Sequence, residues 1–176
     1  MKKRTGSQKG FTLIEILIVV ILLGILATII VPQVTVSSDD AKLNALKTNL
    51  GNLRSAIELY YYQHGNRYPG VYDNADGTTL VNDAGDAAAA FVAQLTQYTD
   101  ANGKTSASVN ASFPYGPYLR DGLPLNPYNS VKTVTCDVAV TDVTSRTADP
   151  SDGTGWKFYT NTGVLCANDD ISHDDY

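Results

Sequence analysis

Apolar and polar positions divide this 176-residue chain into stretches of different period. From Phe11 to Val31 nearly every residue is apolar, and the strongly polar exception is Glu15. A run of this length is enough to span a bilayer, which takes about 20 residues of helix. Past Pro32 the pattern changes. Leu43, Leu46, Leu50, Leu53, Ile57 and Tyr60 recur at spacings of three and four, and polar residues fill the positions between. That spacing predicts an amphipathic helix with one buried stripe. Pro32 removes a backbone donor and predicts a kink between the two stretches. Gly65, after His64, marks the expected helix end. At 1.5 Å per residue the whole helix would measure about 80 Å.

Beyond it the signals shorten. Residues 71–85 read as loop, and 87–98 as a short helix capped by Asp86, with Phe91, Leu95 and Tyr98 on one face. Pro-rich phrases at 115–119 and 123–128 fix turns. A strand is expected over 131–141, then a hairpin whose strands 156–160 and 164–167 flank the turn Asn161-Thr162-Gly163. The fold class predicted is α+β: a long kinked N-terminal helix packed on a small antiparallel sheet. The divisions are a segment 1–10, an apolar helix 11–36, an amphipathic helix 37–65 and a globular head 66–176.

Charge sharpens the reading of the first segment. Lys2, Lys3, Arg4 and Lys9 precede the apolar run with no acid among them. A basic start before an apolar stretch is a targeting signature, and cations there predict a cytoplasmic N-terminus with the head across the membrane. Without those four, nine basic residues face eighteen acidic ones, so the remaining chain is near −9. An acidic head has no cationic face for a nonspecific grip on nucleic acid. A lone carboxylate within a membrane span costs roughly 2.5–3.5 kcal/mol on insertion scales, so the default reading of Glu15 is functional.

Lys9-Gly10-Phe11-Thr12-Leu13-Ile14-Glu15 resembles the class III signal of type IV prepilins and type II secretion pseudopilins. The Pro-rich phrases and Gly155-Trp156-Lys157-Phe158-Tyr159 also resemble the heads of major (G-type) pseudopilins. The resemblance implies cleavage between Gly10 and Phe11 by a prepilin peptidase, N-methylation of Phe11, and assembly through the retained helix, with Glu15, Gly24 and Pro32 as assembly positions. It implies a homo-oligomeric filament, minor pseudopilins and an inner-membrane assembly platform as partners, and an inner-membrane location before assembly. A type IV pilus subunit for adhesion, motility or DNA uptake is the alternative; a membrane-tethered binding module is a third reading.

Two cysteines, Cys136 and Cys166, do not form a CxxC pair, which argues against a zinc ribbon or thioredoxin-like site. In an exported head an oxidised Cys136–Cys166 pair is expected, if neighbouring strands bring them together; two buried thiols are the alternative. The acidic tail from Asn168 to Tyr176 offers oxygen ligands that suit calcium, and pseudopilin heads as a family carry a calcium site, but those ligands do not map onto this tail. The competing expectation is a solvated, partly disordered tail. Asp73, Asn74, Asp76 and Gly77 fall short of a calcium loop because Ala75 stands at a ligand position. No GxSxG, HExxH, P-loop or GxGxxG pattern occurs, and no enzyme activity is expected.

Overall fold

The computed structural model describes residues 10–176, the side chains of 28–37 excepted. It divides into two compact units, Met1–Ala41 and Lys42–Tyr176. Helix α1, Leu13–Gln63, is 51 residues long and belongs to both. The helical assignment continues over position 32, whose side chain lies outside the described residues.

In the second unit the apolar stripe of α1 does what its spacing predicts. Leu46, Leu50, Leu53, Ile57 and Tyr60 are buried, and they join one core with Phe91, Leu95, Trp156, Phe158 and Leu165. α1 ends where expected: Gly65 and Asn66 both have φ near +60°, the left-handed conformation that closes helices. The tyrosines at that end pack in pairs. Tyr61 stacks on Tyr68 at 4.4 Å, and Tyr68 meets Phe158 edge-on at 6.3 Å.

Helix α2 runs Ala84–Thr96, three residues earlier than predicted, because the cap is Asp83 rather than Asp86. The Asp83 carboxylate accepts from the amides of Gly85 at 2.8 Å and Asp86 at 3.2 Å. Gly85 in the first turn masks this start in the sequence. Phe91 and Leu95 are buried on α2 as expected; Tyr98 has left the helix. It begins β1, Tyr98–Thr99, which pairs antiparallel with β2, Thr105–Ser106, in a region expected to be loop.

The main sheet has the order β3-β4-β5, from Val134–Asp137, Trp156–Tyr159 and Val164–Ala167. β4 and β5 form the predicted antiparallel hairpin. β3 is parallel to β4, so the sheet is mixed rather than antiparallel throughout. Parallel neighbours require a long crossover, and the chain between Asp137 and Trp156 supplies it.

This topology overturns the Cys136–Cys166 pairing. Cys136 sits opposite Phe158 and Cys166 opposite Lys157. Successive residues of β4 point to opposite faces, so the two cysteines lie on opposite faces of the sheet and on its two outer strands. Strands stand about 4.8 Å apart, which puts the two backbones some 10 Å apart, beyond the roughly 7 Å limit for a bridge. Both are free, buried thiols.

Candidate functional site

The N-terminal segment presents its groups to the outside. Gly10 is exposed and non-helical, and Phe11 is 86% exposed. Thr12 starts α1. Its amide and its hydroxyl both donate to Glu15 Oε2, at 2.7 and 2.8 Å, and the Glu15 amide donates back to Thr12 Oγ1 at 3.3 Å. This reciprocal arrangement is a capping box, in which the residues at either end of a Thr-x-x-Glu phrase satisfy one another's backbone. The phrase is legible in the sequence as Thr12-Leu13-Ile14-Glu15, and it gives Glu15 a local role that its depth in the apolar run does not suggest.

Behind the cap the apolar residues from Leu13 to Leu26 stay exposed on every side of the helix, from 50% at Val19 to 86% at Leu13. Glu15 is the sole ionisable side chain between Phe11 and Ala27. A Cβ at Gly24 would meet nothing within 4 Å beyond its own helix backbone. Among the described residues no helix is long and apolar enough to cross a membrane; the later part of the apolar run falls among positions 28–37, outside that description. Pro32 is among those, and the basic residues of the leader are also outside the described residues. A helix apolar all round needs an apolar environment or other helices around it.

The head gives no sign of catalytic machinery around its two histidines. His64 is buried against Tyr60, ring on ring at 3.8 Å. Its Nδ1 donates to the Tyr60 carbonyl at 2.8 Å, which leaves Nε2 to accept from the Thr99 hydroxyl at 3.0 Å. Burial holds it below the ordinary histidine range, against smaller opposing effects of the Tyr60 and Asp100 backbones and the Asp100 charge. His173 is oriented by Asp169, Nδ1 to Oδ2 at 2.5 Å, and lies against Tyr128. Both rings serve packing.

The tail carboxylates do not fit a calcium ion as arranged. Asp169 holds His173 and Asn126, Asp170 caps the turn at Ser172, Asp174 accepts from the Ala148 amide, and Asp175 pairs with Arg146. They point to different partners, and among the described residues no cluster of three potential metal ligands forms. The tail is tied down rather than loose. In the 73–79 loop, Asp76 accepts from the amides of Thr78 and Thr79, the turn chemistry that its sequence favours.

Comparison with known proteins points to the same N-terminal segment. A family model described as the prokaryotic N-terminal methylation motif matches residues 5–31. The chain is similar to the type II secretion system core protein G of Pseudomonas aeruginosa, 47% identical over 54 residues, covering 31% of this chain and 38% of that protein. It is similar to the core protein G of Klebsiella michiganensis, 38% identical over 66 residues, covering 38% and 46%. The core protein G of Aeromonas hydrophila is 35% identical over 82 residues, covering 47% and 54%. The chain thus spans about half or less of the length of these relatives. No solved structure matches.

Proposed function

We propose that this chain is a structural subunit of a type II secretion pseudopilus, with no catalytic site of its own. In this reading residues 1–10 are a leader removed by a prepilin peptidase between Gly10 and Phe11, and the new Phe11 amine is methylated. Residues 11–36 hold the subunit in the inner membrane, with the N-terminus cytoplasmic and the head periplasmic. The subunit then passes into a homo-oligomeric filament, with minor pseudopilins and an inner-membrane assembly platform as partners. One observation carries the reading: an apolar helix exposed on all sides, with one carboxylate at its start, joined to a head that is already fully packed.

The chemistry follows from that carboxylate. In an apolar filament core an unpaired charge is expensive and a paired one much less so. Before cleavage Glu15 is satisfied by its own Thr12. After cleavage each subunit gains an amine at Phe11, and a neighbour's amine can compete for Glu15. That exchange would set axial register, while Gly24 and Pro32 allow the helix to adapt on packing. N-terminal analysis of the mature protein tests the processing: it should begin at N-methyl-Phe11, and a chain that still begins at Met1 sinks the proposal. A deletion strain tests the system. Loss of protein secretion is expected; loss of surface filaments with secretion intact would point to a type IV pilus.

A further inference from the structure

The part of the head where the chain enters carries apolar, aromatic and basic side chains together. α1 enters the second unit at Lys42. Lys42 Nζ stands 6.0 Å from the Tyr128 ring centre, and the Tyr128 ring lies 4.2 Å from that of His173. His173 in turn lies 5.9 Å from the Tyr176 ring, and Lys47 Nζ stands 4.6 Å from the centre of that ring. The row runs from one lysine of α1 across three rings to another lysine of α1. Two large apolar side chains stand on the segments that supply the rings. Leu125, whose carbonyl accepts from Asn49 Nδ2 at 3.0 Å, is 55% exposed. Ile171, in the short turn Ile171–His173, is 61% exposed. Asp169 ties the two segments together: its Oδ1 accepts from Asn126 Nδ2 at 2.6 Å, and its Oδ2 holds His173 Nδ1 at 2.5 Å.

Side chains of this kind suit the boundary between lipid and water. Tyrosine collects at headgroup depth because one end of its ring is apolar and the other wet. Lysine lays its stem along apolar surface and keeps its ammonium in water. A single exposed apolar residue calls for no explanation; here two stand on linked segments beside the ring row. Chain length fits as well. Lys42 comes six residues after Val36, the last residue of the apolar helix, which is about 9 Å of helix. The headgroup layer on each side of a bilayer is about 5–7 Å deep, so the row begins where headgroups give way to water.

We propose that this rim rests on the phospholipid headgroups of the membrane that holds residues 11–36, until the subunit leaves for the filament. The proposal rests on the membrane reading given above. Charge does not hold the rim in place. Asp39 and Asp40 are exposed just before Lys42, and Asp170 precedes Ile171, so the acids offset Lys42 and Lys47. The contact is made by Leu125, Ile171 and the tyrosine rings, and it does not require anionic lipid. Apolar surface on the head must then leave the lipid, together with the apolar helix, when the subunit is extracted.

Tryptophan quenching supplies the test. Trp156 is the single tryptophan and is fully buried, so it gives a constant background. Ile171→Trp, Leu125→Trp and, as a control, Val109→Trp are each made in the full-length chain. Val109 is 60% exposed and follows β2, whose Thr105 pairs with Thr99. The Thr99 hydroxyl bonds to His64, beyond the far end of α1 at Gln63, about 30 Å of helix from Lys42. Each chain is reconstituted into phosphatidylcholine vesicles whose acyl chains carry bromine near the headgroup. The tryptophans at 171 and 125 should lose emission relative to unbrominated vesicles, and the one at 109 should keep it. Raised salt should leave the loss unchanged. A chain that does not float with the vesicles overturns the membrane reading and the rim together. A chain that floats with positions 171 and 125 unquenched, or with all three quenched equally, overturns the rim alone. So does emission at 171 that shifts with the ratio of protein to lipid without quenching, which marks a second copy as the cover. Loss that appears only when phosphatidylglycerol is added overturns the apolar contact.

Discussion

The two halves of α1 are both rich in Leu, Ile and Val, and they meet opposite fates. From Leu13 to Leu26 every large apolar side chain is at least half exposed; from Leu46 to Tyr60 the stripe residues are buried. Hydrophobicity alone does not account for this. The second half sets its apolar residues three and four apart and fills the gaps with Lys47, Asn52, Arg54 and Glu58, so one head can cover its single stripe. The first half has no polar side to leave in water, and a single head could cover only part of it. The first half therefore reads as a surface for many partners, lipid or other copies, and the second as a surface with one partner that the chain itself provides.

The largest effect expected comes from the one charge in the exposed half. Glu15→Gln should leave cleavage after Gly10 and membrane insertion intact yet abolish assembly, read as a cleavage blot beside a secretion or filament assay. Wild-type filament formation by Glu15→Gln subunits alone would rule out charge pairing as the assembly signal. Next is the buried half: Leu53→Ala removes a fully buried core side chain and should cost the head about 2–5 kcal/mol in denaturant unfolding. A third outcome concerns the end of that half. Burial keeps His64 below its free value of 6.5. Below that pH the unfolded chain binds a proton that the folded chain resists, so the stability this site gives above about pH 6.5 is lost as pH falls. Thermal unfolding should show a midpoint that drops as the pH falls below about 6.5, and His64→Gln should flatten that slope. The smallest effects sharpen the contrast. Leu17→Ala, at a half-exposed position, should leave head unfolding within about 0.5 kcal/mol of the original. Arg146→Ala, at an exposed pair, should also cost about 0.5 kcal/mol or less.

What the sequence revealed of this molecule followed the length of each signal. The stripe on α1 repeats over several turns, and its end carries Gly65, so both were legible. The hairpin around Gly163 was legible because strand, turn and strand are contiguous. β1 and β2 are two residues each and show no period, so nothing marked them. The parallel placement of β3 depends on how the chain after Asp137 crosses the sheet, which alternation of side chains does not encode. Once that placement was wrong, the inferred cysteine pair was wrong with it. At Glu15 the failure was of another kind: the Thr-x-x-Glu phrase was plain, and a functional explanation displaced the local one. The acidity of the tail predicts a solvated segment, yet each acid there has a specific partner.

The parallel pairing of β3 with β4 also sets a timetable. β4 is the middle strand of its sheet, so neither outer strand can dock until Trp156 to Tyr159 are in place. The β4–β5 hairpin is local and can close within about 1–10 μs. β3 must wait: Cys136 meets Phe158 only after the whole crossover has folded back, and such non-local pairings are slow to form. For a chain whose helix leads, the head remains incomplete until β5 is in place. Until then the stripe from Leu46 to Tyr60 lacks the part of its cover that Trp156, Phe158 and Leu165 supply.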